Sequence, residues 1–319
     1  MNFYVCSTPY HVFVSLCHLV TSRDKGTFYL TTHDDNSEKI FFMLKDRLLH
    51  HEYVENVIIR KRKRILDKLM IERLKDWLEF LQLKPVLKES NYHIYNFCWN
   101  PYSLYLPSNF LYKKAKKVTF IEEGSMLYAY EKPKKLTLIL KKYLYGVNTD
   151  FYKDAKTKEI LVQYPDKYPD FLSDKLTNLS FSELVKGINQ SSREEILSIF
   201  IRDNSLAHKL NFTDKSVIIL TQPLSEDGFI TEKEKYKLYK NIIDEYKDTY
   251  YIVLKRHPRE KTIYGFDHVL EIEGTFPSEI LTILNLNFEK AIGICTSAIY
   301  NINATEKINI DENFLNRRK

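Results

Sequence analysis

Short apolar segments and amphipathic helical patterns alternate along the chain, and this alternation limits its fold more than any other feature. In the first half, strand-like segments lie at residues 2–6, 27–32, 54–60, 93–97 and 117–121. Helical patterns lie between them at residues 9–20, 38–49 and 65–83. The pattern restarts near residue 215, with strands at 217–220, 250–255, 269–272 and 291–295 and helices at 231–246 and 277–284. Such alternation is typical of open parallel sheets covered by helices, so the sequence predicts an α/β protein.

The restart of the pattern divides the chain into two halves, with the boundary between residues 185 and 215. We predict a Rossmann-like domain over residues 1–200 and a second Rossmann-like domain over residues 201–319. Ligands of open α/β sheets bind beyond the carboxyl ends of the strands. Two such sheets facing each other predict a cleft, and the polar residues that follow strands are the first candidates for its lining.

Glycine is scarce, and this limits how a nucleotide can be bound. The chain has eight glycines, and the closest two, Gly265 and Gly274, are nine residues apart. A glycine-rich dinucleotide loop or a P-loop needs glycines within about five residues of each other. The sequence therefore predicts neither motif, and any nucleotide must be held by other groups.

Membrane-spanning, secreted and zinc proteins are disfavoured by the composition. No run approaches the roughly 20 apolar residues of a membrane span, and Met1–Cys6 lacks the basic region of a signal peptide. The cysteines are scattered without a C-x-x-C pair, at Cys6, Cys17, Cys98 and Cys295. Such a distribution favours buried thiols over disulfides or zinc, and the sequence predicts a cytoplasmic protein.

Positive charge is concentrated in the first half of the chain. Residues 1–150 carry 24 Lys and Arg against 16 Asp and Glu, a net charge of +8, whereas residues 151–319 carry 24 against 26, a net charge of −2. The excess lies at 60–64, 113–117 and 132–142. One interpretation is a solvated basic surface, and another is attraction to an anionic membrane or glycan. No RNA- or DNA-binding signature accompanies the charge, so nucleic acid is the least favoured partner.

An acidic pair follows the strand at 117–121. On a strand, neighbours face opposite ways, so only one of Glu122 and Glu123 can point into the cleft, and Gly124 allows the chain to turn there. A carboxylate in a cleft is a natural general base for an alcohol nucleophile. A solvated acidic turn is the alternative interpretation.

Three further candidate groups lie in the second half. His257 is followed by Pro258 and stands among the cations Lys255, Arg256 and Arg259. This setting suits a phosphate ligand. A loop histidine whose hydrogen bonds are all made within the protein is the alternative interpretation. Thr296 and Ser297 follow a strand and predict either an anion site or a helix cap. Glu279, two residues after Pro277 in a first helical turn, predicts either a helix-dipole carboxylate or a clamp on ribose hydroxyls.

The ordered set of these motifs resembles bacterial sialyltransferases of the GT-B architecture, which share an acidic pair with glycine, a His-Pro pair and a hydroxyl pair. The hydroxyl pair departs slightly here, since it is Thr-Ser. The segments Phe3–Tyr10, Leu220–Gly228 and Phe276–Glu279 are most similar to glycosyltransferase family 52. That family includes lipooligosaccharide and streptococcal capsule sialyltransferases, and the lysine- and tyrosine-rich composition favours the capsule type.

The resemblance implies an inverting transfer of sialic acid from CMP-sialic acid to a galactose hydroxyl, with α2,3 as the default linkage. It implies that Glu122 is the base, with Glu123 as the alternate, and that His257 protonates or hydrogen-bonds the departing phosphate. Donor contacts are implied for the C-terminal half, at Pro258, Pro277, Glu279, Thr296 and Ser297.

The resemblance also implies that no metal or cofactor is needed. His33, Asp34 and Asp35 are a weaker candidate for a metal or acceptor contact, since the two aspartates are adjacent rather than spaced. The basic N-terminal half is expected near a lipid-linked acceptor at the inner face of the membrane, and a homodimer is left open. The rival interpretations are another transferase of a CMP-sugar, such as a polysialyl- or Kdo transferase, and a non-enzymatic glycan-binding protein.

Overall fold

The computed structural model divides the chain into two compact units, Met1–Asn189 (unit 1) and Gln190–Lys319 (unit 2). It describes residues 1–32, 35–61, 77–78, 81–84, 87, 91–97, 111–112, 114–122, 134–136, 139, 154–201, 210 and 215–310. Several predicted features lie wholly or partly outside these residues: His33 and Asp34, the helix at 65–83, Cys98, the basic segments at 60–64, 113–117 and 132–142, and Glu123 with Gly124.

Unit 1 contains a parallel sheet of seven strands. The strands are β1 (Asn2–Cys6), β2 (Gly26–Thr32), β3 (Val54–Lys61), β4 (His93–Asn96), β5 (Lys117–Ile121), β6 (Thr157–Val162) and β7 (Leu176–Asn178). Their order is β3-β2-β1-β4-β5-β6-β7. The chain first adds strands on one side of β1 and then, from β4 onward, on the other side, while all strands stay parallel. This is the doubly wound order, whose ligand sites lie at the carboxyl ends of the strands.

The helices of unit 1 whose bounds lie within the described residues are α1 (Pro9–Ser22), α2 (Asp35–Leu49) and α3 (Phe181–Lys186), with 3-10 turns at Pro165–Lys167 and Asp170–Lys175. Thr8 caps α1 by accepting a hydrogen bond from the backbone N–H of His11 at 3.2 Å, and Pro9 opens its first turn. β1 is buried on both faces from Phe3 to Cys6, as expected for a central parallel strand.

Unit 2 contains a second parallel sheet, of five strands in the order β10-β9-β8-β11-β12. The strands are β8 (Ser216–Leu220), β9 (Tyr251–Lys255), β10 (Val269–Ile272), β11 (Phe288–Ile294) and β12 (Ala304–Ile310). Within its described residues, the helices are α4 (Gln190–Phe200), α5 (Glu232–Tyr246) and α6 (Ile280–Ile283), with a 3-10 turn at Ala298–Asn301. A capping box between Thr231 and Glu234 fixes the start of α5.

The sheets confirm the predicted strands and add three that the sequence analysis missed, β6, β7 and β12. The units divide between Asn189 and Gln190, inside the range of residues 185–215 given for the boundary. Helix α4 belongs to unit 2 because it packs on α6, and Arg193 contacts Asn285 just beyond that helix. Within the described residues, no helix is both long and apolar enough to cross a bilayer.

Candidate active site

Two of the predicted site residues, His257 and Thr296, lie at one edge of the unit 2 sheet. The neighbouring strands β9, β8 and β11 are parallel and in register, so their carboxyl ends meet at this edge. The first residue after β8 is Thr221, and His257 and Thr296 each stand two residues beyond the ends of β9 and β11. The His-Pro and Thr-Ser motifs therefore lie at the same edge of this sheet.

The backbone of His257 is fixed on both sides. Its N–H donates to the hydroxyl of Thr221 at 3.2 Å and to a carboxylate oxygen of Glu260 at 3.3 Å. Its carbonyl accepts the N–H of Glu260 at 3.0 Å, which closes a tight turn. Behind the turn lies Gly274, where a Cβ would stand 2.5 Å from the His257 carbonyl oxygen. Only glycine fits this approach.

The imidazole of His257 is held in one tautomer. Its Nδ1 accepts the backbone N–H of Arg259 at 3.1 Å, so the ring proton sits on Nε2. Burial, together with the charges of Arg259 and Lys255, lowers the pKa of His257 to about 3. The ring is therefore neutral at physiological pH and presents a single N–H donor.

A buried lysine joins the loops after β9 and β10. The ammonium group of Lys255 donates to the carbonyls of Arg256, Glu273 and Phe276 at 3.0, 2.9 and 2.8 Å, and it lies 4.5 Å from the centre of the Phe276 ring. Burial lowers the pKa of Lys255 to about 7. These bonds anchor the segment that leads to Pro277 and Glu279.

Glu279 is buried near the 3-10 turn that follows Ser297. One carboxylate oxygen accepts the amide of Asn301 at 3.3 Å, and the other accepts the hydroxyl of Ser278 at 3.3 Å. Burial raises the pKa of this carboxyl group. The structure thus places Glu279 beside the end of the turn that the Thr-Ser motif begins.

The two hydroxyls of the Thr-Ser motif have different surroundings. Thr296 is buried, and its hydroxyl accepts the N–H of Ala298 at 3.3 Å, so the predicted cap is present on this residue. Ser297 is exposed and makes no side-chain cap. A Cβ at Gly293 would stand 2.4 Å from the Thr296 methyl group, so that glycine leaves room for Thr296. Of the pair, Ser297 is the hydroxyl that a ligand can reach.

In unit 1, Glu122 directly follows β5 and is buried at the carboxyl edge of the sheet. Its carboxylate accepts the backbone N–H of Gln163, the residue after β6, at 2.6 Å. The side chain lines a small cavity of about 20 Å³ together with Tyr10 and Phe181. Glu122 is therefore a fixed carboxylate at a strand end, as the sequence predicts, while Glu123 lies outside the described residues.

The sequence analysis missed the charges buried behind His257. Lys235 on α5 is fully buried and pairs with Glu226 and Glu260. One signal was available: Lys235 shares the apolar face of an amphipathic helix with Leu238 and Ile242, at helical spacing. A lysine in such a position indicates a buried partner of opposite charge.

The fold is shared with a known enzyme. The chain is similar to the crystal structure of a 2,6-sialyltransferase from a Photobacterium species in a ternary complex with the donor product CMP and the acceptor substrate lactose, with a TM-score of 0.63 and 13% identity over 97% of this chain and 71% of that one. This likeness confirms the GT-B fold class predicted from the sequence.

The chain belongs to glycosyltransferase family 52, whose profile matches residues 108–312. This match confirms the family resemblance drawn from the motifs. An uncharacterized protein of Haemophilus influenzae is 29% identical over 293 residues, which cover 90% of each chain.

Proposed function

We propose that the protein transfers sialic acid from CMP-sialic acid to a galactose hydroxyl of a glycan. The observation that carries the proposal is the neutral His257 ring, held with its Nε2–H as a donor at the carboxyl edge of the unit 2 sheet. Membership of family 52 supports it. The similar Photobacterium enzyme was crystallised with CMP and lactose, a disaccharide that ends in galactose.

Unit 2 binds the donor in this proposal. The Nε2–H of His257 donates a hydrogen bond to the phosphate of CMP as its charge develops. The low pKa of His257 favours this role over proton transfer to the phosphate. The Thr-Ser motif contributes the exposed Ser297 hydroxyl to the phosphate, and Thr296 shapes the turn.

The remaining donor contacts come from the loops beside His257. Glu279, oriented by Asn301, accepts hydrogen bonds from the ribose hydroxyls. Pro258 and Pro277 restrict the backbone next to His257 and Glu279 and so hold the two loops in shape.

Unit 1 supplies the base. The acceptor hydroxyl gives its proton to Glu122, its oxygen bonds to the anomeric carbon of sialic acid, and the bond from that carbon to the phosphate oxygen breaks as CMP leaves. A single displacement of this kind inverts the anomeric configuration. The N–H of Gln163 orients the Glu122 carboxylate. Glu123 remains the alternate base.

The finer parts of the proposal follow the family resemblance. The reaction needs no metal, because a single phosphate is stabilised by His257, hydroxyls and backbone donors. The linkage is α2,3, and the acceptor is a capsular polysaccharide or a lipooligosaccharide. The alternative is that the protein transfers the sugar of another CMP-sugar, and the CMP-release assay described next distinguishes the two donors.

The deciding experiment measures CMP release from CMP-sialic acid and from CMP-Kdo, each with and without lactose and with and without EDTA. We expect release that requires both CMP-sialic acid and lactose and is unchanged by EDTA. NMR of the product then gives the linkage and the anomeric configuration. Release from CMP-Kdo alone, or from neither donor under any acceptor, contradicts the proposed substrate.

A peripheral membrane contact of unit 1 is a second part of the proposal. Lys134, Lys135, Leu136 and Ile139 are exposed, and the last two are 72% and 65% accessible. Two exposed lysines thus directly precede two exposed apolar residues in this short stretch of the sequence. Such a stretch fits an anionic bilayer, where lipid-linked acceptors are held at the cytoplasmic side.

Vesicle co-sedimentation tests this contact. We expect binding to anionic vesicles that falls at high salt and that is weakened by replacing Leu136 and Ile139 with serine. Equal binding to neutral and anionic vesicles removes the idea. Light scattering of the same samples reports whether two chains associate, which stays a prediction.

A further inference from the structure

A group of charged side chains lies buried behind the loops that follow β8 and β9. The Lys235 ammonium group contacts Glu226 at 2.8 Å, Glu260 at 3.3 Å and Glu232 at 3.5 Å. We refer to these four residues as the Lys235 cluster. The side chains of Lys235 and Glu260 are both fully buried.

The cluster reaches His257 through Glu260. One Glu260 oxygen accepts the Tyr264 hydroxyl at 2.5 Å and faces Lys235. The other accepts the Thr221 hydroxyl and the backbone N–H of His257. Each oxygen of the Glu260 carboxylate therefore has its own partners: one faces Lys235, and the other binds the backbone N–H of His257.

The cluster also holds the loop after β8. Glu226 accepts the Lys235 ammonium group through one oxygen and the backbone N–H of Lys261 through the other, at 2.7 Å. On the surface, Arg259 pairs with both oxygens of Asp227 at 2.8 and 2.9 Å. The loops that carry Glu226 and His257 are thus joined by a buried and an exposed pair of charges.

Burying these charges is a poor way to stabilise a fold. An apolar side chain of similar volume on the inner face of α5 usually serves as well as a buried ion pair. Hydrogen-bonded charges instead fix one geometry, since an unpaired buried charge is costly. Glu260 of this cluster accepts the backbone N–H of His257, so the geometry that the cluster fixes includes the backbone from which the His257 ring extends.

We propose that Glu260 is a positioning residue for His257, held in place by Lys235, and that the pair sets the direction of the Nε2–H toward the donor phosphate. The inference rests on the proposed function for the role of His257. Neither Glu260 nor Lys235 touches the substrate in this scheme.

The test compares Glu260→Gln and Lys235→Met with two exposed controls on helix α5, Glu245→Gln and Lys240→Met. In each protein, ¹⁵N NMR of the His257 ring is recorded without ligand and assigned with His257→Gln. The affinity for CMP is then measured by calorimetry. These readouts separate positioning from stability, because both are taken well below the unfolding temperature.

We expect Glu260→Gln and Lys235→Met to change the ¹⁵N signals of the His257 ring from those of the wild-type protein and to weaken CMP binding about 10-fold or more, since misplacing a contact by about 1 Å has effects of this size. The two controls should match the wild-type protein. Wild-type ring signals and wild-type CMP affinity in Glu260→Gln overturn the inference.

Two further variants keep the test decisive if a single change prevents folding. Glu260→Gln combined with Lys235→Met removes opposite charges together, and Thr221→Val removes the hydroxyl between Glu260 and the His257 N–H. An unchanged His257 ring in both overturns the inference. If the wild-type protein binds no CMP, the proposed function fails, while the ring signals still decide whether Glu260 positions His257.

Discussion

The backbone of Gly274 packs directly against the carbonyl oxygen of His257, and a Cβ at Gly274 would stand 2.5 Å from that oxygen. The contact joins the loop after β10 to the loop after β9. Glycine is required at residue 274 because a side chain would collide with His257, and not because of its backbone angles, which other residues also adopt.

Gly274→Ala should therefore displace the turn at His257. We expect CMP affinity to fall about 10-fold or more, because the Nε2–H loses its direction. Gly187→Ala is the matched control, since its Cβ would meet its nearest neighbours at an ordinary 3.5 Å. Calorimetry with CMP measures the effect, and equal affinity in both variants would show that the turn absorbs the methyl group.

Glu122→Gln keeps the shape of the side chain and its bond from the Gln163 N–H but removes the base. We expect kcat to fall roughly 100-fold or more, with little change in the KM for the donor. Glu159→Gln on β6 serves as the control. Steady-state CMP release is the assay, and if Glu123→Gln is inactive while Glu122→Gln is active, the base is Glu123.

His257 should act as a neutral donor. We expect His257→Gln, which keeps an N–H at similar reach, to retain more activity than His257→Ala, which should lose about 100-fold in kcat/KM. With a pKa of about 3, His257 contributes no ionisation to the pH–rate profile between about pH 5 and 8. A step near pH 6.5 that disappears in His257→Gln would show that the ring titrates and acts as an acid.

Lys255 should make stability depend on pH in the alkaline range. Its pKa is about 7 in the folded protein, whereas in the unfolded chain it is about 10.4, so between these values the unfolded chain binds more protons. The stability of the wild-type protein relative to Lys255→Met should then rise from about pH 7 to about pH 10 and be level below pH 7. Thermal melts of both proteins at several pH values measure this difference. The exposed pair of Lys240 and Asp244 offers Lys240→Met as a control, which should show no such slope.

Cys295 offers a readout of donor binding that needs no turnover. It is exposed beside Thr296, whereas Cys6 and Cys17 are buried. Alkylation at Cys295, followed by mass spectrometry of its peptide, should be slowed by CMP and unaffected by cytidine, which lacks the phosphate. An identical rate with CMP places the phosphate away from the Thr-Ser motif.

Several correctly predicted strands contain continuous apolar runs, among them β1, β8 and β9. β8 is buried at every position, and its sequence signal does not depend on its neighbours. β12 was missed because Glu306 and Lys307 interrupt it and because most of its side chains are exposed at the sheet edge. A strand with one neighbour carries a weaker apolar pattern, so its existence depends on pairing with β11.

The sequence by itself determined the two α/β units and the residues that end their strands, among them Glu122, His257 and Thr296. Apolar runs mark each strand locally, and parallel order carries the residues after them to one edge. Only the tertiary structure decided the tautomer of His257, the burial of Thr296 and the buried pairing of Glu260 with Lys235. Those properties depend on partners such as Thr221, 36 residues from His257, and sheet register rather than local pattern brings such partners together.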